Sequence, residues 1–280
     1  DEIEEYLEGI DGKVDELIAI MDGKRIDLGV YHRCDNRHCP LATLTPLPED
    51  NVTELYYHNG DSYLEEGITL IRDIPDGIGL NSKQRIQWEA VRTKKPQVNH
   101  KKLRAWLSTL QEPVSHLDFE TINPAIPLFD GTRPYQHIPF QYSLHIERGD
   151  ELEHHEFLGD GVSDPRKALL LQLMEDLPAT GRVLAHNMSF EKRVLRELAE
   201  AFPAHAEWVR TATSRLADTI VPFRNFWYYH PKQHGSCSIK AILPALTGTS
   251  YDALSIGDGA LAQIRYAQLP AVGTDRERMR

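Results

Sequence analysis

The chain has 280 residues, of which 41% are hydrophobic and 26% charged, and it carries a net charge of −11. That length suits one large domain beside a smaller one, and no apolar run reaches membrane-spanning length, so no membrane association is expected. The acidic start, Asp1-Glu2-Ile3-Glu4-Glu5, does not read as a signal peptide, and three unevenly spaced cysteines argue against a disulfide framework and for a reducing, cytoplasmic compartment.

Residues 1–22 place Ile3, Tyr6, Leu7, Ile10, Val14, Leu17, Ile18 and Met21 at helical spacing. With no initiator Met and a start inside that pattern, the expectation is a piece of a longer protein. A loop bearing His32, Cys34, His38 and Cys39 follows, then a Pro-rich stretch at 45–50. The Cys/His spacing is loose for a zinc knuckle. Between Lys83 and Arg104 stand eight Lys/Arg against one acid, Glu89; such a stripe is either a phosphate-contacting surface or the solvated face of two helices.

From Val114 the pattern changes to that of an α/β domain. Val114–Thr121 predicts a strand, and Phe140–Glu147 with Glu151–Leu158 a hairpin turning at Arg148-Gly149-Asp150. Asp164-Pro165 opens a helix to about Leu177. Arg182–His186 predicts a short buried strand, Ser189–Ala201 a helix capped by Ser189, and Arg215–Ile220 another strand. Cys237–Leu246 and Gly257–Tyr266 predict the last two helices. Three early strands followed by alternating helices and strands fit a mixed sheet with helices on its faces. The expected domains are an N-terminal appendage over 1–112, an α/β domain over 113–270 and a tail over 271–280.

The chemistry concentrates in His116-Leu117-Asp118-Phe119-Glu120-Thr121. Side chains at i and i+2 of a strand share a face, so Asp118 and Glu120 would lie about 6–7 Å apart. Two carboxylates held there repel unless a cation sits between them, and hard oxygen ligands suit Mg²⁺ or Mn²⁺. The plainer alternative is an exposed strand with two solvated acids. Downstream, Glu191 in His186-Asn187-Met188-Ser189-Phe190-Glu191 enters a helix just past a strand's C-terminal end, where ligand sites gather in α/β sheets. Asp258 begins another helix among small residues, Ile256-Gly257-Asp258-Gly259-Ala260. Taken singly, either acid is a helix-start charge complementing the dipole.

Asp118-Phe119-Glu120-Thr121, His186-Asn187-x-x-Phe190-Glu191, Ser238-Ile239-Lys240-x-x-Leu243 and Asp258 with Tyr266 eight residues later together resemble the DEDD, DnaQ-like exonuclease superfamily of the ribonuclease H-like fold. That resemblance covers roughly residues 114–268. Pro134–Ser143 and Tyr228-Tyr229-His230-Pro231 look closer still to an uncharacterised bacterial domain family found behind RecB-like nuclease domains. The resemblance implies a ribonuclease H-like mixed five-stranded sheet with helices on both faces, plus a small, mainly helical N-terminal appendage. It implies two Mg²⁺ or Mn²⁺ held by Asp118, Glu120, Glu191 and Asp258, which activate a water and stabilise the leaving 3′ oxygen. It further implies 3′–5′ exonuclease action on a single-stranded DNA or RNA end, and a RecB-like nuclease domain as partner within the full-length protein. Thr121 would line the terminal-nucleotide pocket with Phe190 packed beneath; Asn187, Lys240, His230 and His234 are further substrate-binding candidates, and His186 is expected to be structural.

Two departures from the superfamily pattern stand out. The usual Asp is Glu at 191, which makes Asp218 a substitute ligand to weigh against a strand-end hydrogen-bonding role. The usual general base, His five or Tyr four residues before the last Asp, is Ala253 or Leu254; Tyr251, His230 and His234 are the candidates to replace it. In the RecB-like setting, Cys34 and Cys39 look like the remnant of an iron–sulfur cysteine cluster, which needs four thiolates.

Overall fold

The computed structural model describes residues 10–22, 47–58, 60–250 and 259–272. By internal contacts the chain forms two compact units, Asp1–Gln84 and Arg85–Arg280, and the basic segment from Arg85 onward belongs with the second. The first nine residues, His32, Cys34, His38, Cys39, Tyr251, Ala253, Leu254 and Asp258 lie outside the described residues. Among those described, no helix is long and apolar enough to cross a membrane.

In the first unit, helix α1 (Ile10–Met21) follows the predicted apolar spacing, yet its Ile10, Val14, Leu17, Ile18 and Met21 are exposed. A short helix α2 (Asp61–Glu65) joins turns whose Val52, Leu55, Ile71 and Ile74 are buried. Helix α3 (Ser82–Thr93) starts where Asn81 Oδ1 accepts the backbone N–H groups of Lys83 and Gln84, a side-chain cap for otherwise orphaned donors.

The second unit takes in α3 from Arg85 on and continues with strand β1 (Gln97–Val98) and helix α4 (His100–Leu107), the latter capped by Asn99. Then come β2 (Val114–Ile122), β3 (Ile138–Arg148) and β4 (Glu151–Leu158). Helix α5 (Arg166–Asp176), β5 (Arg182–Ala185), α6 (Ser189–Ala201), α7 (Ala206–Ser214) and β6 (Leu216–Asp218) alternate after them. The unit closes with α8 (Val221–Arg224), β7 (Tyr228–Tyr229), α9 (Ile239–Thr247) and α10 (Gly259–Val272). The last predicted helix is therefore six residues longer at its C-terminal end, Val272 against Tyr266.

Five strands form one mixed sheet in the order β4-β3-β2-β5-β6. The first three pair antiparallel, with Arg148 opposite Glu151 across the predicted tight turn, while β2–β5 and β5–β6 are parallel. The α/β expectation and the mixed sheet hold. Alternation sends Leu117 and Phe119 to one face, where they pack with Tyr142, Leu144 and Ile146 beneath α5, α6 and α7. The opposite face is covered at one end by α10, whose Ala262, Tyr266 and Leu269 meet Ile122, Ile138 and Phe140.

A β-bulge makes this second core possible. Glu120 pairs with Gln141, but Thr121 pairs with Pro139, leaving Phe140 as the extra residue. An extra residue re-aims side chains, so Phe140 leaves the face of Tyr142 and stacks on Tyr266, ring centroids 4.0 Å apart. At the entrance to β5, Gly181 (φ +86°) runs so close to residue 113 that a Cβ would lie 1.9 Å from the Pro113 carbonyl oxygen. Only glycine fits there.

Candidate functional site

The C-terminal ends of the parallel strands β2, β5 and β6 lie side by side, the position at which α/β sheets present ligand sites. On β2, Asp118 and Glu120 alternate with buried Leu117 and Phe119 and so share the face opposite the main core. Asp118 is open to solvent on one side, yet the surrounding protein displaces enough water to push its carboxyl up, partly offset by the backbone N–H of Phe119. Beside Glu120 stands the first residue of α10: a Cβ on Gly259 would come 3.2 Å from Glu120 Oε2. The predicted ligand Asp258 directly precedes that glycine in sequence and lies outside the described residues, as does Tyr251.

Glu191, in the first turn of α6, is 3% exposed, and its Oε2 has no hydrogen-bond partner. Burial pushes its carboxyl up to about 7; its own backbone N–H opposes the shift, and the negative charges of Asp118 and Asp218 add to it. Asp118 and Asp218 thus both act on Glu191.

Asp218 has a second task. Its Oδ1 accepts the N–H groups of Asn187 (2.8 Å) and Ile220 (3.0 Å), and its Oδ2 that of Met188 (3.2 Å). This is the strand-end hydrogen-bonding role weighed against a ligand role from sequence, and both oxygens already serve it. It also corrects the predicted helix cap. Ser189 is the first helical residue, and its hydroxyl donates to the Asn187 carbonyl oxygen. The free N–H groups before α6 are taken instead by Asp218, 31 residues downstream of Asn187. Asn187 can make this bend because asparagine tolerates its left-handed φ of +65°. Its Oδ1 accepts from the exposed Arg224 guanidinium at 3.5 Å.

His186 is a brace, as expected. Its Nε2 donates to the Cys237 carbonyl oxygen and its Nδ1 meets the Thr219 hydroxyl, each at 3.0 Å, which commits both ring nitrogens. Thr121 is buried, and its hydroxyl contacts His137 Nδ1 at 2.8 Å, so the candidate pocket-lining group is held inside the protein. His137 lies within the Pro134–Ser143 stretch but is not among the candidate residues read from the sequence. Its imidazole meets the Phe190 ring edge-on, and burial, reinforced by Arg193, lowers its proton affinity. Phe190 packs against the main core, with the Arg193 guanidinium 5.4 Å from its ring centre.

The remaining candidates stand in the segment after β7. His230 Nδ1 accepts the Lys232 N–H, so that nitrogen serves as a cap rather than facing a water. His234 adopts a left-handed conformation at the end of the same turn. Lys240 is exposed in the first turn of α9, where its N–H is capped by Ser238.

The donor set is entirely oxygen. A buried carboxylate with one unpartnered oxygen, pushed upward by burial and then by the charges of two other acids, is complete only with a proton or a cation. Carboxylate oxygens are the donors that a hard divalent ion of the Mg²⁺ or Mn²⁺ kind takes. A family model described as a domain of unknown function (DUF2779) matches residues 115–238, a span that includes Asp118, Glu120, Glu191 and Asp218. Searches of curated proteins and of solved structures gave no match.

Proposed function

We propose that the second unit is a ribonuclease H-like DEDD domain that hydrolyses phosphodiester bonds with divalent metal ions, acting as a 3′–5′ exonuclease on DNA or RNA. The observation that carries this reading is the buried, unpartnered Oε2 of Glu191 beside Asp118, at the end of the strand that also bears Glu120. The strand order β4-β3-β2-β5-β6, with helices on both faces, supports the fold.

Asp118, Glu120 and Glu191 would hold the ions, with Asp258 as the fourth carboxylate of the motif. When bound, the ions lower the pKa of a water and stabilise the leaving oxygen. The chain's own contribution is positioning. Strand β2 fixes Asp118 and Glu120 on one face; Asp218 clamps the backbone turn that delivers Glu191; and His186 ties that turn to Cys237. Preorganised charge of this sort needs little reorganisation during reaction.

A second reading is a nucleic-acid-binding module that has lost catalysis and serves a RecB-like nuclease. It is favoured by Ala253 and Leu254 at the positions where a general base is usual. Incubating the chain with 5′-labelled single-stranded DNA and RNA in Mg²⁺ and in Mn²⁺, beside Asp118→Ala, separates the two. Metal-dependent shortening that the substitution lowers by at least about 10²–10³-fold, the cost of one lost electrostatic group, supports the exonuclease. Binding without cleavage supports the module.

A further inference from the structure

The basic segment finds no role in the carboxylate site itself. Within Arg85–Arg104, α3 exposes Arg85 and Arg92, the turn after it Lys94 and Lys95, and α4 Lys101, Lys102 and Arg104. The one acid of the segment, Glu89, lies 3.7 Å from Arg92, whose guanidinium stacks over the buried Trp88 at 4.3 Å. Solvated helix faces ordinarily mix both signs. A run of one sign on a chain of net charge −11 departs from that pattern and makes a local field that attracts polyanions.

The fold also ties this segment to the carboxylate site. Strand β1 pairs antiparallel with β7, Gln97 opposite Tyr229 and Val98 opposite Tyr228. The Asn99 N–H donates to the Trp227 carbonyl oxygen at 2.7 Å. The stretch carrying β7 grips the turn between β5 and α6 at both its ends, through Arg224 to Asn187 and through the Cys237 carbonyl to His186. One continuous ladder therefore runs from the two basic helices to the turn that delivers Glu191.

We propose that α3, α4 and the turn between them form a phosphate-binding arm that holds the backbone of the single-stranded nucleic acid leading to the carboxylate site. The proposal deepens the nucleic-acid reading above and rests on it, but binding without cleavage scores it separately. The ligand is the phosphodiester chain, recognised by charge and not by base, so DNA and RNA bind alike.

The test is fluorescence anisotropy with a 5′-labelled oligothymidylate of about twenty nucleotides, long enough to span more than one site's worth of bases. The protein is the full chain carrying Asp118→Asn, in EDTA, titrated between about 50 and 200 mM salt. Adding Lys94→Ala, Lys95→Ala, Lys101→Ala and Lys102→Ala should flatten the plot of log affinity against log salt. The slope should change by about 0.7 per lost phosphate contact, and affinity should fall tenfold or more at the low-salt end. The four Lys→Arg changes should restore binding, and matched thermal unfolding of all three proteins excludes a folding defect. An unaltered slope in the alanine variant, or no binding by the parent, overturns the arm. Cleavage is scored only on the chain with Asp118 intact, so either reading can fail alone.

Discussion

Helix α6 buries two glutamates six residues apart, and they meet opposite surroundings. Glu197 is 7% exposed and Glu191 3% exposed, and each has an Oε2 with no hydrogen-bond partner. The other oxygen of Glu197, however, faces the Arg133 guanidinium at 3.4 Å. The charges that act on Glu191 are those of Asp118 and Asp218, both negative. Burial alone therefore does not mark a site. An acid answered by a cation of the chain is finished structure, whereas a buried acid under the field of other acids is completed by a proton or by a cation from outside.

The comparison is most sharply tested at Glu191. Its carboxyl, ordinarily near 4.5, is pushed up to about 7 in the folded chain, so the folded state keeps its proton to higher pH than the unfolded state does. Stability without metal is then complete below about 4.5 and declines as pH rises toward about 7, by on the order of 3 kcal/mol. Urea unfolding in EDTA should show this decline in the parent and a much shallower one in Glu191→Gln, where the raised Asp118 carboxyl still contributes, and the variant should be the more stable protein above neutrality. Mn²⁺ should raise the melting temperature of the parent far more than that of the variant. A parent decline no steeper than that of Glu191→Gln would erase the contrast with Glu197.

A smaller effect is expected at Asp218. Asp218→Asn leaves one acceptor oxygen for three N–H groups that are exposed or part-buried, and each lost hydrogen bond costs about 0.5–1.5 kcal/mol. It also removes one of the charges that push Glu191 upward. The midpoint of the Glu191 titration, followed by carboxyl NMR, should move down, and an unmoved midpoint would detach Asp218 from the site. The smallest effect belongs to Glu197→Gln. Arg133 is 67% exposed, so solvent screens the pair; stability should change by less than about 1 kcal/mol, and the slope between pH 4.5 and 7 should persist.

What the sequence revealed follows the range of the forces involved. Strands β2, β3 and β4 were legible because alternation is a local signal, and Asp118 and Glu120 came with them as a two-residue spacing. The cap of α6 was not legible, since the group that replaces Ser189 is Asp218 on another strand. Two-residue strands such as β1 and β7 carry too few side chains for a period to show. His137 was missed for a similar reason: what distinguishes it is contact with Thr121 and Phe190, which are distant in sequence.

The bulge at Phe140 has a consequence for how this chain tolerates insertions and deletions. Strand β3 feeds two cores on opposite faces, and the single unpaired residue is the point at which its allegiance changes. Removing one residue there would not simply shorten a strand. Loss of Phe140, the extra residue, would restore strict alternation and strip α10 of its stacked anchor. Lineages carrying this fold should accept length changes in the loop before Ile138 and reject them between Pro139 and Gln141, although both stretches lie within a few residues of the same carboxylates.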